Sequence, residues 1–277
     1  MKIKYILYIL LFSWYFTLNA QQWQREEITE QYNTLHLFHS TQSFNLPTTE
    51  FMQKGDFEFE ISHRFIPTIK SGSRDLWGFD GPVNIRFGLG YALLDDLIIT
   101  VGRSNKEDNF DFTVKQKLFD IDNKIAPFNF AVKGGFAWNT EKLGSSGKNM
   151  NKPQYFVQGI FNLLYNNKFG LGIVPTYLYN NSIYCSNNSH SFTIGGYGQV
   201  YLSRMFSILA EINSTVTGWR KTHNSVSLGG ELETGGHFFK VFLTNNTSLN
   251  TSQFIAGADN SFNSGELSIA FYISRIL

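Results

Sequence analysis

The sequence predicts an all-β fold, a transmembrane antiparallel up-and-down β-barrel of about twelve strands, and three observations predict it. Past residue 55, segments of roughly ten residues alternate apolar and polar side chains, the period of a strand with one greasy face. The connections between them sort into short turns and long loops, the pattern of a barrel with periplasmic turns and external loops. Composition agrees, with 27 Phe, 13 Tyr and 24 Gly against 6 Pro. After the first twenty residues no run reaches the ~18 apolar residues of a spanning helix.

The chain of 277 residues opens with Lys2 and Lys4, an apolar run from Tyr5 to Phe16, and Leu18-Asn19-Ala20 before Gln21-Gln22. That order predicts a signal peptide over 1–20, cleaved after Ala20, and therefore export to the outer membrane. Without Lys2 and Lys4 the remainder carries 21 basic and 22 acidic residues, which leaves no electrostatic footprint for nucleic acid. Cys185 is the sole cysteine, so stability must come from a source other than an internal disulfide. A closed hydrogen-bonded barrel in lipid supplies one. Residues 21–54 form an N-terminal segment, an extra strand or a partial plug. Within it NTLHLFHSTQS at 33–43 reads as a thirteenth strand that would spoil the even count, so it is expected to enter the lumen or pair only in part.

The barrel proper is expected over 55–277. Its first strand, 55–65, contains FEFEISHRF, with Phe57, Phe59, Ile61, His63 and Phe65 outward and Glu58, Glu60, Ser62 and Arg64 inward. The second, 82–91, turns Val83, Ile85, Phe87, Leu89 and Tyr91 outward, and Asn84, Arg86, Gly88 and Gly90 inward. Strands follow at 96–104, 109–119 and 127–138; Lys115 and Lys117 face in on the fourth, and Asn129, Ala131 and Lys133 on the fifth. Next come 153–164 and 168–179, where Pro175 cannot donate to a ladder and predicts a bulge or a strand end. The remaining segments are 190–201, 205–215, 222–233, 237–247 and 265–275, the last leading straight to the apolar C-terminus. Short connections fall at Leu93–Asp96, Tyr165–Lys168, Leu202–Met205 and Thr234–Gly236, and long ones at 66–81, 139–152, 180–189 and 248–264. Tyr91, Trp138, Tyr155, Tyr165, Tyr177 and Tyr179 sit near strand ends, where an interfacial aromatic girdle would place them.

Several stretches, FEFEISHRF at 57–65, LWGFDGPVNIRFGLGYAL at 76–93, ITVGRSN at 99–105, LTNNT at 243–247 and AFYISRIL at 270–277, resemble an uncharacterised outer-membrane β-barrel family of Gram-negative bacteria. The resemblance runs from about residue 35 to the C-terminus, with 139–235 matching in pattern only. It implies location and fold, and carries no activity, cofactor or ligand residues.

For chemistry, the informative set is the inward charges: Glu58, Glu60, Arg64, Arg86, Asp111, Lys115, Lys117, Lys133, Glu211, Glu231, Glu233, Lys240 and Glu266. They either neutralise one another in a filled, hydrated interior or line a narrow conduit, and their balanced signs argue against strong ion selectivity. His63 faces lipid and would need a catalytic partner from a neighbouring strand, since adjacent Ser62 faces the other way. His36 and His39, three apart on a strand, lie on opposite faces and make no metal pair. His190, His223 and His237 fall near strand ends and are expected to be solvated. Asp120–Asn123 lacks the glycine and glutamate of a calcium loop and reads as a polar turn. The Asn- and Ser-rich stretches at 186–190 and 244–252 read as solvated external padding. The expected function is a narrow channel for small polar solutes, without a cofactor or an enzymatic site. The alternatives are a structural or docking component of an envelope complex and a barrel-wall enzyme acting on lipid. Expected partners are the outer-membrane bilayer and the barrel-assembly machinery.

Overall fold

The computed structural model describes residues 36–140, 153–180 and 189–277. The expected signal peptide and Cys185 lie outside the described residues. Twelve strands are described: β1 Phe57–Phe65, β2 Val83–Leu94, β3 Leu97–Ser104, β4 Asn109–Ile121, β5 Phe128–Asn139 and β6 Gln154–Tyr165 form the first half. The second half is β7 Phe169–Tyr179, β8 His190–Tyr201, β9 Phe206–Gly218, β10 Ser225–Glu233, β11 His237–Thr244 and β12 Ser268–Ile276. Each strand pairs with its sequence neighbours, and β12 closes on β1, with Glu60 facing Ser274 on one side and Gly88 on the other. Closure leaves no sheet edge, which hydrocarbon would penalise by several kcal/mol for every unpaired group.

Alternation decides which face looks where. Phe87 is 53% exposed, Val157 59% and Val241 62%, whereas inward Glu58, Arg64, Glu231 and Lys240 are all buried. That is the inverse of a soluble sheet, and an apolar medium outside explains it. The short connections and the start of β1 gather at one end of the barrel, the turn end. The long loops start and finish at the other, the loop end, together with two shorter links, 105–108 between β3 and β4 and 219–224 between β9 and β10.

Pro175 corrects one expectation, because it neither ends nor bulges β7. It sits in register with Ile194 of β8, while the ladder to β6 steps from Gln158↔Thr176 to Phe161↔Ile173, so the missing donor falls in a local gap. The register shifts lie elsewhere, at Ala92/Leu94, Lys117/Phe119 and Phe192/Thr193.

Residues 36–53 add no thirteenth strand. They fold as a tight hairpin in the lumen, closed by Ser43 N donating to Leu46 O at 2.8 Å and Thr48 N to Thr41 O at 3.0 Å. The hairpin enters from the turn end, where Phe38 lies against Gly170, and its tip carries Leu46 to Gly195 at mid-height. It then returns to the turn end, where Met52 clusters with Ala92 and Ile98 and Gly55 N donates to Ala92 O. A second insertion comes from the loop end. β11 stops at Thr244, and the chain then dives inward, burying Asn245, Asn246, Ser248, Leu249 and Asn250, and Ser252, Gln253 and Phe254 of the helical turn Thr251–Phe254. The padding reading of 244–252 is therefore wrong: these amides and hydroxyls find partners inside the barrel in place of water.

Candidate functional site: a lumen filled from both ends

Strand parity sends the charged side chains inward, and most of them terminate on the hairpin. Lys240 Nζ donates to Ser40 Oγ at 2.6 Å, to Ser43 O at 2.7 Å and to Gln42 O. The same ammonium pairs with Glu231 at 3.0 Å, both groups fully enclosed. Glu231 also holds His39 Nδ1 at 2.8 Å and accepts from Gln199 at 2.8 Å. Lys115 spends its three donors on hairpin carbonyls, those of Thr41, Thr48 and Glu50, at 3.2, 3.3 and 2.6 Å. Glu211 accepts from the backbone N–H groups of Asn45 and Leu46, both at 3.0 Å, and from Asn45 Nδ2 at 2.7 Å. Arg64 donates to Asn45 Oδ1 at 2.7 Å and lies over the Phe242 ring. Glu58 accepts from Thr41 Oγ1 at 2.7 Å, and Lys117 lies over Phe51 of the hairpin.

Three other predicted charges pair within the wall. Arg86 bridges Glu60 at 2.5 Å and Asp111 at 3.0 Å. Lys133 lies in register with Lys115, makes no hydrogen bond among the described residues, and faces a polar cavity of about 30 Å³ beside the hairpin. Room for a few waters is left there. Two of the predicted positions lie at the margins: Glu233 caps the β10–β11 turn, and Glu266 sits in the loop ahead of β12.

Sequence reasoning missed the hairpin's own acceptor, Glu50, which binds the N–H groups of Leu37 and Phe38 at 2.7 and 2.9 Å and His36 Nδ1 at 2.6 Å. That hydrogen bond raises the pKa of His36 against the opposing effect of burial. It also missed Asn162, Tyr197 and Tyr201, which bind Thr49, Pro47 O and Leu37 O. No spacing rule links these positions to the hairpin, and only closure of the barrel brings them to it. From the loop end, Asn250 reaches Asn109, Ser252 reaches Gln154 at 2.7 Å, and Asn213 reaches Ile255 O at 3.1 Å. Leu46 of the hairpin and Phe254 and Ile255 of the inserted loop belong to one apolar cluster.

The remaining candidates are placed as follows. His63 stands in register between Phe271 and Ile85 and stacks on Phe271 at 4.2 Å, with no hydrogen-bond partner for Nδ1 among the described residues. His36 and His39 go to separate carboxylates, and no metal-ligating cluster occurs among the described residues. Asn123 caps its turn, accepting from the N–H groups of Ile125 and Ala126. Gly88 packs against the Glu60–Arg86 pair, where an added Cβ would lie 2.5 Å from Glu60 Oε2.

At the loop end Lys106 and Lys221 converge on Ser248 Oγ of the inserted loop at 3.1 and 3.3 Å, with Asp259 3.1 Å from Lys221. Burial, and then the neighbouring Lys221 charge, lower the pKa of Lys106 to about 8.

Comparison with known proteins adds a family. A model described as a membrane bound beta barrel domain (DUF5777) matches residues 38–277. No curated protein matches the chain. Among solved structures, the NanC porin is 8% identical with a TM-score of 0.49, over 79% of this chain and 98% of that one. The CymD monoaromatic hydrocarbon channel is 11% identical with a TM-score of 0.34, over 81% and 88%. LpxR from Salmonella typhimurium is 9% identical with a TM-score of 0.35, over 79% and 99%.

Proposed function

The chain belongs to this family of membrane-bound β-barrel domains, and on that premise we propose that it is an outer-membrane barrel held closed at rest, a narrow channel for small polar solutes that conducts only when its N-terminal hairpin leaves the lumen. One observation carries the reading: residues 37–52 thread the interior and take up the donors of Lys115 and Lys240 and the acceptors of Glu211 and Glu231. These contacts are charge-assisted but reversible, because a released hairpin leaves polar groups that a wet lumen can hydrate. The short turns and the hairpin entrance then face the periplasm, and the long loops face outward. The barrel-assembly machinery is the partner expected to receive β12 and close it on β1.

Conductance in planar bilayers tests this reading. The full chain is expected to be silent, a chain lacking residues 37–52 to show small steps, and one that also has the 245–266 loop shortened to show larger steps. Steady conductance by the full chain, or a tight seal in all three, would refute it. A structural or docking role in an envelope complex is the second reading, and the same filled lumen favours it, since a barrel stopped from both ends acts through its rims. Crosslinking from the turn end that recovers only the barrel itself would count against that role.

A further inference from the structure

The stretch LWGFDGP at 76–82 plays no part in the filled lumen. It belongs to the β1–β2 connection, which folds as a compact flap at the loop end. The flap is tied to the residue just ahead of β12 by Ile69 N donating to Leu267 O at 2.7 Å and continues the β1–β2 ladder through Ile66 N to Pro82 O at 2.9 Å. Gly78 is pressed against Pro67, where an added Cβ would lie 2.7 Å from Pro67 O, so the flap has one tight geometry and not a slack one.

That geometry holds apolar side chains out. Ile66, Leu76, Trp77 and Phe79 are 43%, 55%, 56% and 52% exposed. Leu76 and Trp77 both take left-handed backbone, φ 47° and 52°, which residues with side chains adopt only at a cost and which concentrates at functional sites. The β11–β12 loop at this end folds Leu249, Phe254 and Ile255 into the lumen and leaves only Phe262 of its large apolar side chains exposed. The chain therefore has a place to hide loop apolar groups, yet it presents these four.

The position of Phe79 indicates what covers them. Its ring meets Phe65 edge-on at 5.0 Å, and Phe65 lies on the outward face of β1. Below it the outer wall continues in aromatic contacts, Phe65 to Phe271 at 6.3 Å and Phe271 to His63 at 4.2 Å. The flap is thus continuous with the surface that a membrane barrel turns to lipid, and it stands at the rim where amphipathic rings prefer to sit. We propose that the flap over 66–79 is a membrane-inserting ledge, with Trp77, Leu76 and Phe79 seated in the leaflet at the loop end, so that lipid contact on the β12–β1–β2 side extends beyond the strands.

The test compares the full-length protein with Trp77→Phe, each reconstituted in phosphatidylcholine vesicles and in vesicles of brominated phosphatidylcholine. The wild-type spectrum minus that of the variant is the emission of Trp77. The ledge predicts a difference spectrum shifted to short wavelength, lost in brominated lipid and insensitive to aqueous iodide. Emission at long wavelength, quenched by iodide and indifferent to bromine, would overturn it. Emission at short wavelength that neither quencher reaches would also overturn it, because a protein surface or a second barrel would then cover the ring. Should Trp77→Phe fail to fold, a spin label at Phe79→Cys in a Cys185→Ser background gives the same decision. Greater accessibility to oxygen than to a water-soluble nickel complex supports the ledge, and the reverse overturns it.

Discussion

Replacing Lys240 by Met asks how firmly the hairpin is held. The ammonium is 0% exposed, its partner Glu231 is 1% exposed, and it donates to three hairpin oxygens as well. Removing one member of a buried pair costs about 3–5 kcal/mol. Glu231 keeps His39 and Gln199 as partners, which places the expected cost near the lower bound. A loss of ~3 kcal/mol at ~1.4 kcal/mol per tenfold raises the population of the released hairpin by roughly 100-fold. Ser43 offers a reporter, because it is buried at the tip and its hydroxyl has no hydrogen-bond partner among the described residues. In a Cys185→Ser background, Ser43→Cys should react slowly with a water-soluble maleimide, and about 100-fold faster once Lys240→Met is added. Adding Glu231→Gln should recover part of the protection, since a neutral partner no longer leaves a bare buried charge. Equal labelling rates in all three proteins, or a double variant as fast as the single one, would refute the latch.

Two further outcomes follow from face and charge. Arg at Phe87, Val132 or Ile269, on the lipid face, should cost about 2–4 kcal/mol near the midplane in heat-stability assays. At Gly88 or Ala131 it should instead collide with lumen contents such as the Glu60–Arg86 pair, changing hairpin labelling more than lipid association. Docking of the 245–266 loop should tighten as pH rises above about 8: Lys106 loses its proton there in the docked loop but keeps it toward 10.5 when the loop is released, and below 8 it is charged in both states with its penalty fully present. Protease sensitivity of that loop at pH 7 and 9.5 measures this, and Lys106→Met should flatten the difference.

The strands were legible because period two survives any interior: whatever fills the lumen, outward positions must be apolar, while inward ones carry polar groups or, as at Phe156, Ile160 and Leu178, apolar ones that pack on the lumen's contents. The ends of β8 agree with the alternation at both residues, and β1 begins only two residues later than expected. The insertions were legible only in part: lumen entry was one of two readings of residues 33–43, and the inward course of 244–252 was not foreseen. Residues 33–43 alternate as a strand would, and nothing local says that Glu211 and Lys240, far away in sequence, will supply the partners a neighbouring strand would have given. The Asn- and Ser-rich run at 244–252 is as polar as a solvated loop, because a polar lumen and bulk water select the same side chains. Pro175 failed differently, since the rule that it needs a missing partner held but the gap fell in one ladder without disturbing the other.

The balanced charges of the lumen then acquire a specific meaning. An open conduit needs charges that face water, yet Lys115 turns all three donors to carbonyls of the hairpin, and both Glu211 oxygens accept from its tip. These groups are complementary to a backbone segment more than to an ion in transit. A hairpin held by apolar contacts alone would leave a dry apolar socket behind, whereas one held by ammonium and carboxylate groups leaves a surface that water solvates well. Its release therefore forfeits mainly the fixed geometry of those bonds and the burial of Leu37, Phe38, Phe44 and Leu46. On the proposed channel reading, the apolar anchors set how rarely the hairpin leaves, and the charged wall offers the vacated lumen a surface that water and small polar solutes can occupy, which a solid post would not need.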